Sequence, residues 1–177
     1  KFNINVGDGE KAISYLRDYK SDLAIIFEPV RSNYIETIST INQPIQAVMS
    51  LEHPLSKYKS INLADCLKYP LALPPSPYAV REILETAAAE QSLDLEPTVE
   101  AESYIFLHNF VTRKTNAISF EVEIDVPKQS IYRSISTVPL NLSNSHQGQI
   151  HLLKLQGRTF SGATEKFIQQ LLNVFNK

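Results

Sequence analysis

Residues Tyr34 to Ser50 read YIETISTINQPIQAVMS, a stretch of extended character interrupted once, at Pro44. Proline has no N–H to donate to a sheet ladder, so it marks a place where one strand ends and another begins. The chain is expected to leave one lobe here and enter a second. Val138 to Leu142 forms another extended stretch, suited to the return passage. Two such passages make a two-lobed molecule with a hinge.

Outward from this crossing, strand and helix patterns alternate. On the N-terminal side, Lys1 to Val6 alternates polar and apolar, which predicts a strand with Phe2, Ile4 and Val6 on one face. Gly7-Asp8-Gly9 turns it into a helix near Glu10 to Lys20, with Ile13 and Leu16 inward. Asp22 to Phe27 (DLAIIF) is nearly continuously apolar, the pattern of a parallel strand covered on both faces. On the C-terminal side, Ile61 to Leu67 predicts a short helical turn and Tyr69 to Leu73 a brief strand. Ser76 and Pro77 have the chemistry of an N-cap and a first helical residue. The helix after them turns Val80, Ile83, Leu84, Ala87 and Ala88 inward and Arg81, Glu82, Glu85 and Glu90 outward.

Pro97 to Glu100 reads as a strand. Ser103 is expected to cap a helix whose buried stripe is Phe106, Leu107, Phe110 and Val111. Ala117 to Phe120, Ile131 to Ser136 and Ile150 to Leu155 read as strands. Ser161 caps a last helix with Phe167, Ile168, Leu171, Leu172 and Phe175 inward. Strands alternating with helices in this order predict an α/β fold of mixed, mostly parallel sheets flanked by helices.

The 177 residues carry 17 Lys plus Arg against 19 Asp plus Glu, a formal charge of −2. A domain that grips phosphates concentrates positive charge, so nucleic-acid binding is not expected of this segment itself. Cys66 is the single cysteine, which excludes an intrachain disulfide and a thiolate metal cluster. No apolar run approaches the ~20 residues of a membrane-spanning helix, and no membrane association is expected. A chain that starts mid-pattern on a strand also leads us to expect a further N-terminal part ahead of Lys1.

Catalytic signatures are missing. There is no Gly-x-Ser-x-Gly elbow, no His-Glu-x-x-His and no Cys-x-x-Cys. Gly7-Asp8-Gly9 supplies two glycines of a dinucleotide fingerprint, but Ala12 stands where the third would fall, and a tight turn explains it better. His53, His108, His146 and His151 lie far apart, favouring surface or hydrogen-bonded structural roles over metal binding. Cys66 reads as inert packing. Glu121, Glu123 and Asp125 form a carboxylate cluster in which an acid/base pair can be imagined, though an exposed, charged edge is the commoner explanation. Neither cofactor nor metal is expected.

Several segments together resemble the regulatory domain of LysR-type transcriptional regulators, which has a type 2 periplasmic-binding-protein-like fold. Asp22 to Phe27 is similar to that family's third strand. Gln43-Pro44-Ile45 followed by Met49 to Leu55 (MSLEHPL) resembles its crossing strand and His-Pro-Leu turn, with INLAD at 61–65 and Tyr69-Pro70-Leu71 following at the family's spacing. Arg158 to Ser161 leading into Phe167 and Ile168 resembles its closing strand, serine cap and last helix. Two departures stand out. The family's first strand and first helix are absent before Lys1, and that helix usually forms half of the dimer contact. Ala117 to Glu121 lacks the usual glycine pair and the apolar-apolar-Pro ending.

The resemblance implies lobe I from 1–42 plus 140–177, lobe II from 43–139, and a cytoplasmic sensor that binds a small-molecule effector in an interlobe cleft without turning it over. It implies DNA contact only through a separate N-terminal helix-turn-helix module, and a homodimer or homotetramer of the full-length protein. By position in such a fold, Gly7, Asp8 and Gly9 contribute from one lobe, Ser76, Ser103 and Tyr104 from helix starts of the other, and Phe120 as an apolar wall. Capping alone is a sufficient reason for serine at 76 and 103, so those two readings stand level. A solute-binding protein of a transport system is the alternative, and an enzyme on a related two-lobed scaffold a more distant one.

Overall fold

A computed structural model of the chain describes residues 2–28, 32–122, 134–143 and 148–175, apart from the side chains of Val174 and Phe175. The chain forms two compact units, Lys1–Asn42 with Gln149–Lys177, and Gln43–Gly148.

In the first unit, helix α1 (Gly9–Arg17) packs on strand β1 (Ala24–Phe27). Asp8 caps α1, its Oδ1 accepting from the Lys11 N–H at 2.7 Å. The three-stranded sheet has the order β1, β9 (Gly148–Leu155), β2 (Ile35–Gln43). Leu16, Ala24, Ile26 and Leu153 form the core beneath α1. Helix α5 (Gly162–Phe175) follows, its first turn held by the Ser161 Oγ accepting from the Thr164 N–H.

Two expectations fail in this unit. β1 pairs antiparallel with β9, Ala24 opposite Leu153 and Phe27 opposite Ile150, and Ile25 is exposed on its uncovered face. A short apolar run does not say how many faces will be covered, and here α1 covers one. The predicted strand at 2–6 is also absent. Residues 2–8 have no ladder partner among the described residues, and Phe2, Ile4 and Val6 are exposed; alternation alone makes no strand without a neighbour to pair with.

The second unit is built on β3 (Ile45–Ser50), all six residues of which are buried. It lies in a six-stranded sheet of order β4 (Ile61–Asn62), β8 (Ile135–Asn141), β3, β7 (Ile118–Val122), β5 (Leu71–Leu73), β6 (Val99–Glu100). β3 runs antiparallel to both neighbours, whereas β5 is parallel to β7 and β6, and β4 to β8. Helices α2 (Leu63–Cys66), α3 (Ala79–Glu90) and α4 (Tyr104–Arg113) complete it. Leu107 and Val111 of α4 pack with Val48, Ala72 and Ala117 in a dry cluster. Of the strand expected at Ile131–Ser136, residues 131–133 lie outside the described residues.

Three side-chain assignments shift. Tyr78, not Ser76, is the N-cap of α3; Ser76 and Pro77 sit in a turn closed by Tyr78 N–H to Pro75 C=O, because consecutive prolines delay the helix. Arg81, expected outside, is buried, its guanidinium satisfied by Glu85 at 2.5 Å and by Glu100 at 2.9 Å. The inner face of α4 is Leu107, His108 and Val111 with Tyr104 half-buried, at i, i+3, i+4 and i+7, while Phe106 is 50% exposed. A polar His on the core side disguised the register.

Candidate functional site

Because β7, β5 and β6 are mutually parallel, their carboxyl ends share one edge of the second unit's sheet. The loops after the carboxyl ends of parallel strands are the usual place for a site in an open α/β sheet. β5 leads into the turn Pro74 to Tyr78. β6 leads into Ala101 to Ser103, where Ala101 N–H donates to Leu73 C=O, holding the two loops side by side. β7 ends with Glu121 and Val122.

Ser103 caps α4, its Oγ accepting from the Phe106 N–H at 3.3 Å. The first residue of that helix, Tyr104, is partly buried. Its phenol is pushed up to about 12 chiefly by burial, then by the charge of Glu121, then by Tyr78. Glu121 is the residue that the sequence reading set aside as an exposed edge charge. It is instead largely buried, and its Oε2 lies 2.8 Å from Nε2 of His108. Its other oxygen, Oε1, is covered and without a hydrogen-bond partner among the described residues. Opposite Glu121 in the β3–β7 ladder stands Gln46, 5% exposed.

The expected residues distribute as follows. Ser76, Ser103 and Tyr104 reach the shared edge, Ser76 and Ser103 exposed and Tyr104 partly so. Phe120 is fully buried, so it backs the sheet and offers a ligand no surface. Gly7, Asp8 and Gly9 start α1 in the first unit. A Cβ at Gly9 would touch the Ile26 methyl at 3.4 Å, and one at Gly7 would press on the Lys11 side chain at 2.9 Å. The first is an ordinary contact and the second involves a flexible, exposed side chain, so packing does not by itself require glycine at either position. Sequence reasoning missed Tyr78, His108 and Glu121 as neighbours of Tyr104. The i, i+4 relation of Tyr104 to His108 on one helix was the available signal.

Other concentrations of polar groups are accounted for locally. Nδ1 of His53 accepts from the Leu55 N–H, and its ring stacks edge-on against Tyr69 at 4.5 Å. His151 lies 3.2 Å from the Thr40 hydroxyl. His146, Glu123 and Asp125 lie outside the described residues. Among the described residues no group of three His, Cys, Asp or Glu side chains is placed to hold a metal ion, and no helix is long and apolar enough to cross a membrane. A separate concavity of about 350 Å³ is lined by Leu55, Tyr58, Ile61, Asn62, Asp65 and Tyr69, and contains none of the expected residues.

A family model described as the LysR substrate binding domain matches residues 1–176. No curated protein matches the chain. Among solved structures, the effector binding domain of QuiR in complex with shikimate superposes with a TM-score of 0.74 at 23% identity, over 96% of this chain and 79% of that one. The regulatory domain of Synechocystis PCC6803 CcmR in complex with 2-PG gives 0.77 at 14% identity, over 95% and 80%. A putative LysR family transcriptional regulator from Pseudomonas aeruginosa gives 0.79 at 16% identity, over 97% of this chain and 60% of that one. The chain therefore spans under two thirds of that regulator's length. These likenesses establish the fold.

Proposed function

Because the chain belongs to the LysR substrate-binding domain family, we propose that it senses a small-molecule effector for a transcriptional regulator and binds it without turnover. The observation that carries this reading is the convergence of Ser76, Ser103, Tyr104 and Glu121 at the carboxyl edge of three parallel strands. Hydroxyl groups and a helix N-terminus there offer polar recognition, and among the described residues nothing resembling an activated nucleophile stands beside them. The QuiR and CcmR domains were solved with shikimate and 2-PG respectively, which supports a polar metabolite as effector.

In this proposal the units serve as the two lobes of a ligand sensor, with Gly7, Asp8 and Gly9 as the first unit's contribution. An effector that favours one arrangement shifts the population by no more than its differential affinity for the two states. DNA is read by a separate N-terminal helix-turn-helix module, the working protein is a homodimer or homotetramer, and it acts in the cytoplasm.

The test is a thermal-shift screen of the 177-residue chain against shikimate, amino acids, aromatic acids and sugar phosphates, repeated on Ser103→Phe. A ligand selective for the folded state raises the melting temperature. We expect a hit in the unmodified chain and its loss in the variant, which should still melt cooperatively. An undiminished shift in Ser103→Phe would remove this edge from the site. Turnover of the hit compound would support the enzyme alternative.

A further inference from the structure

We propose that Glu121 and Gln46 make this edge selective for effectors that bring a hydrogen-bond donor, with organic amines preferred over carboxylates. The inference rests on the effector-binding reading and narrows it to a ligand class.

Three observations carry it. Oε2 of Glu121 is engaged by His108 at 2.8 Å, while Oε1 is covered and has no donor among the described residues. A secluded acceptor left unpaired is unfavourable, and a ligand donor that reaches it relieves that cost. Second, Gln46 lies directly opposite Glu121 in the β3–β7 ladder, and opposed residues share a face of the sheet. It is 5% exposed, which sets a second polar side chain beside the first on the same face of the sheet. Third, among the described residues the segments that build the edge, 71–80, 99–112 and 117–122, contain Glu100, Glu102 and Glu121 but no Lys or Arg. Arg81, which reaches β6 from α3, is already engaged by Glu85 and Glu100.

The opposing influence is the N-terminus of α4, which presents roughly half a positive charge. The Glu121 carboxylate stands at the end of β7, which α4 packs against, and bonds His108 one turn into that helix, while the Ser103 hydroxyl already accepts from the Phe106 N–H. A carboxylate ligand would meet more repulsion than attraction, whereas an amine gains from both Glu121 and Gln46. Since Oε1 is itself covered, binding includes a local side-chain rearrangement.

Matched probes test the inference by calorimetry and thermal shift on the 177-residue chain: 1,4-diaminobutane against succinate, benzylamine against benzoate, and myo-inositol as a neutral polyol. The amines should bind more tightly than their carboxylate counterparts. Glu121→Gln keeps an oxygen for His108 but puts an NH2 where the free acceptor stood, and should weaken amine binding at least tenfold. Polyol binding weakened by the same variant also supports donor selection. Carboxylates binding as well as amines, no stabilisation by any amine, or an amine affinity indifferent to Glu121→Gln would each overturn it. Should that variant not fold, the comparison of paired probes on the unmodified chain decides alone. Succinate or benzoate binding that Ser103→Phe abolishes would overturn the donor preference and leave the effector-sensing reading standing. Silence from both these probes and the metabolite screen would count against both.

Discussion

Nε2 of His108 on α4 lies 2.8 Å from Oε2 of Glu121 on β7, with side-chain exposures of 8% and 12%. This bond joins helix α4 to the carboxyl end of strand β7. The dry cluster of Val48, Ala72, Leu107, Val111 and Ala117 packs between the same helix and the sheet. The polar pair and the apolar cluster therefore fix α4 together, the one specifying its register and the other supplying most of the burial energy.

Removing His108 should be costly because it strands a largely buried carboxylate. His108→Leu is expected to destabilise the chain by about 2 kcal/mol or more, the range for losing a hydrogen bond to a charged group. The double variant His108→Leu, Glu121→Leu should recover much of that loss, since no buried charge remains. Urea denaturation of the four chains in a mutant cycle measures it. Additive losses would show that the two side chains do not act as a pair.

The register of α4 makes a sharper contrast between neighbours. Leu107 is fully buried and Phe106 half exposed. Leu107→Ala should cost about 3 kcal/mol from lost transfer energy plus a residual cavity, and Phe106→Ala less than about 1 kcal/mol. Comparable losses at the two positions would mean that the helix is rotated from the arrangement described.

That contrast also shows what a sequence can reveal. Helix α3 was legible because Val80, Leu84, Ala87 and Ala88 are apolar at helical spacing, and the break between β2 and β3 because Pro44 has no N–H to offer a ladder. Ser103 was legible as a cap. Arg81, His108 and Glu121 were not, since each is a polar residue buried by virtue of a partner elsewhere in the chain, and pattern reading assigns polar side chains to the surface. Residues 2–6 failed for the opposite reason: their alternation was real, but a strand also requires a neighbour.

Cys66 should be unreactive in the folded chain. It is fully buried, its Sγ lies 3.5 Å from the Asn62 carbonyl, and burial with help from the Asp65 charge pushes the thiol up to about 12. Only the thiolate is nucleophilic, and very little forms near neutral pH. A thiol-reactive disulfide reagent should modify Cys66 at the rate at which the chain opens, and quickly in urea. Rapid labelling under native conditions would place Cys66 at an accessible surface.

Arg81 ties α3 to β6 through two carboxylates that are themselves about half exposed. Solvent screens such partners, so the loss on Arg81→Met is expected to be about 1–2 kcal/mol, below that of a fully buried pair. Arg81→Lys should recover little, because one ammonium cannot reproduce the fork that reaches Glu85 and Glu100 at once. Chemical denaturation of both variants decides; full stability in Arg81→Lys would mean that charge alone suffices.

His53 provides a dependence on pH. It is 1% exposed, and its burial, opposed in part by the backbone at Asn116, holds the imidazole below its ordinary 6.5. The unfolded chain therefore takes up this proton more readily than the folded one. Below pH 6.5 unfolding is drawn forward by protonation, so the stability contributed by neutral His53 is complete above that value and is lost as pH falls toward the depressed folded value. His53→Asn keeps an acceptor for the Leu55 N–H, because Oδ1 takes the place of Nδ1, but has nothing to titrate. Melting temperatures measured from about pH 8 to about pH 5 should fall more steeply for the unmodified chain than for His53→Asn, the other titrating groups being common to both. Parallel curves would show that His53 is protonated as easily in the folded chain as in the unfolded one.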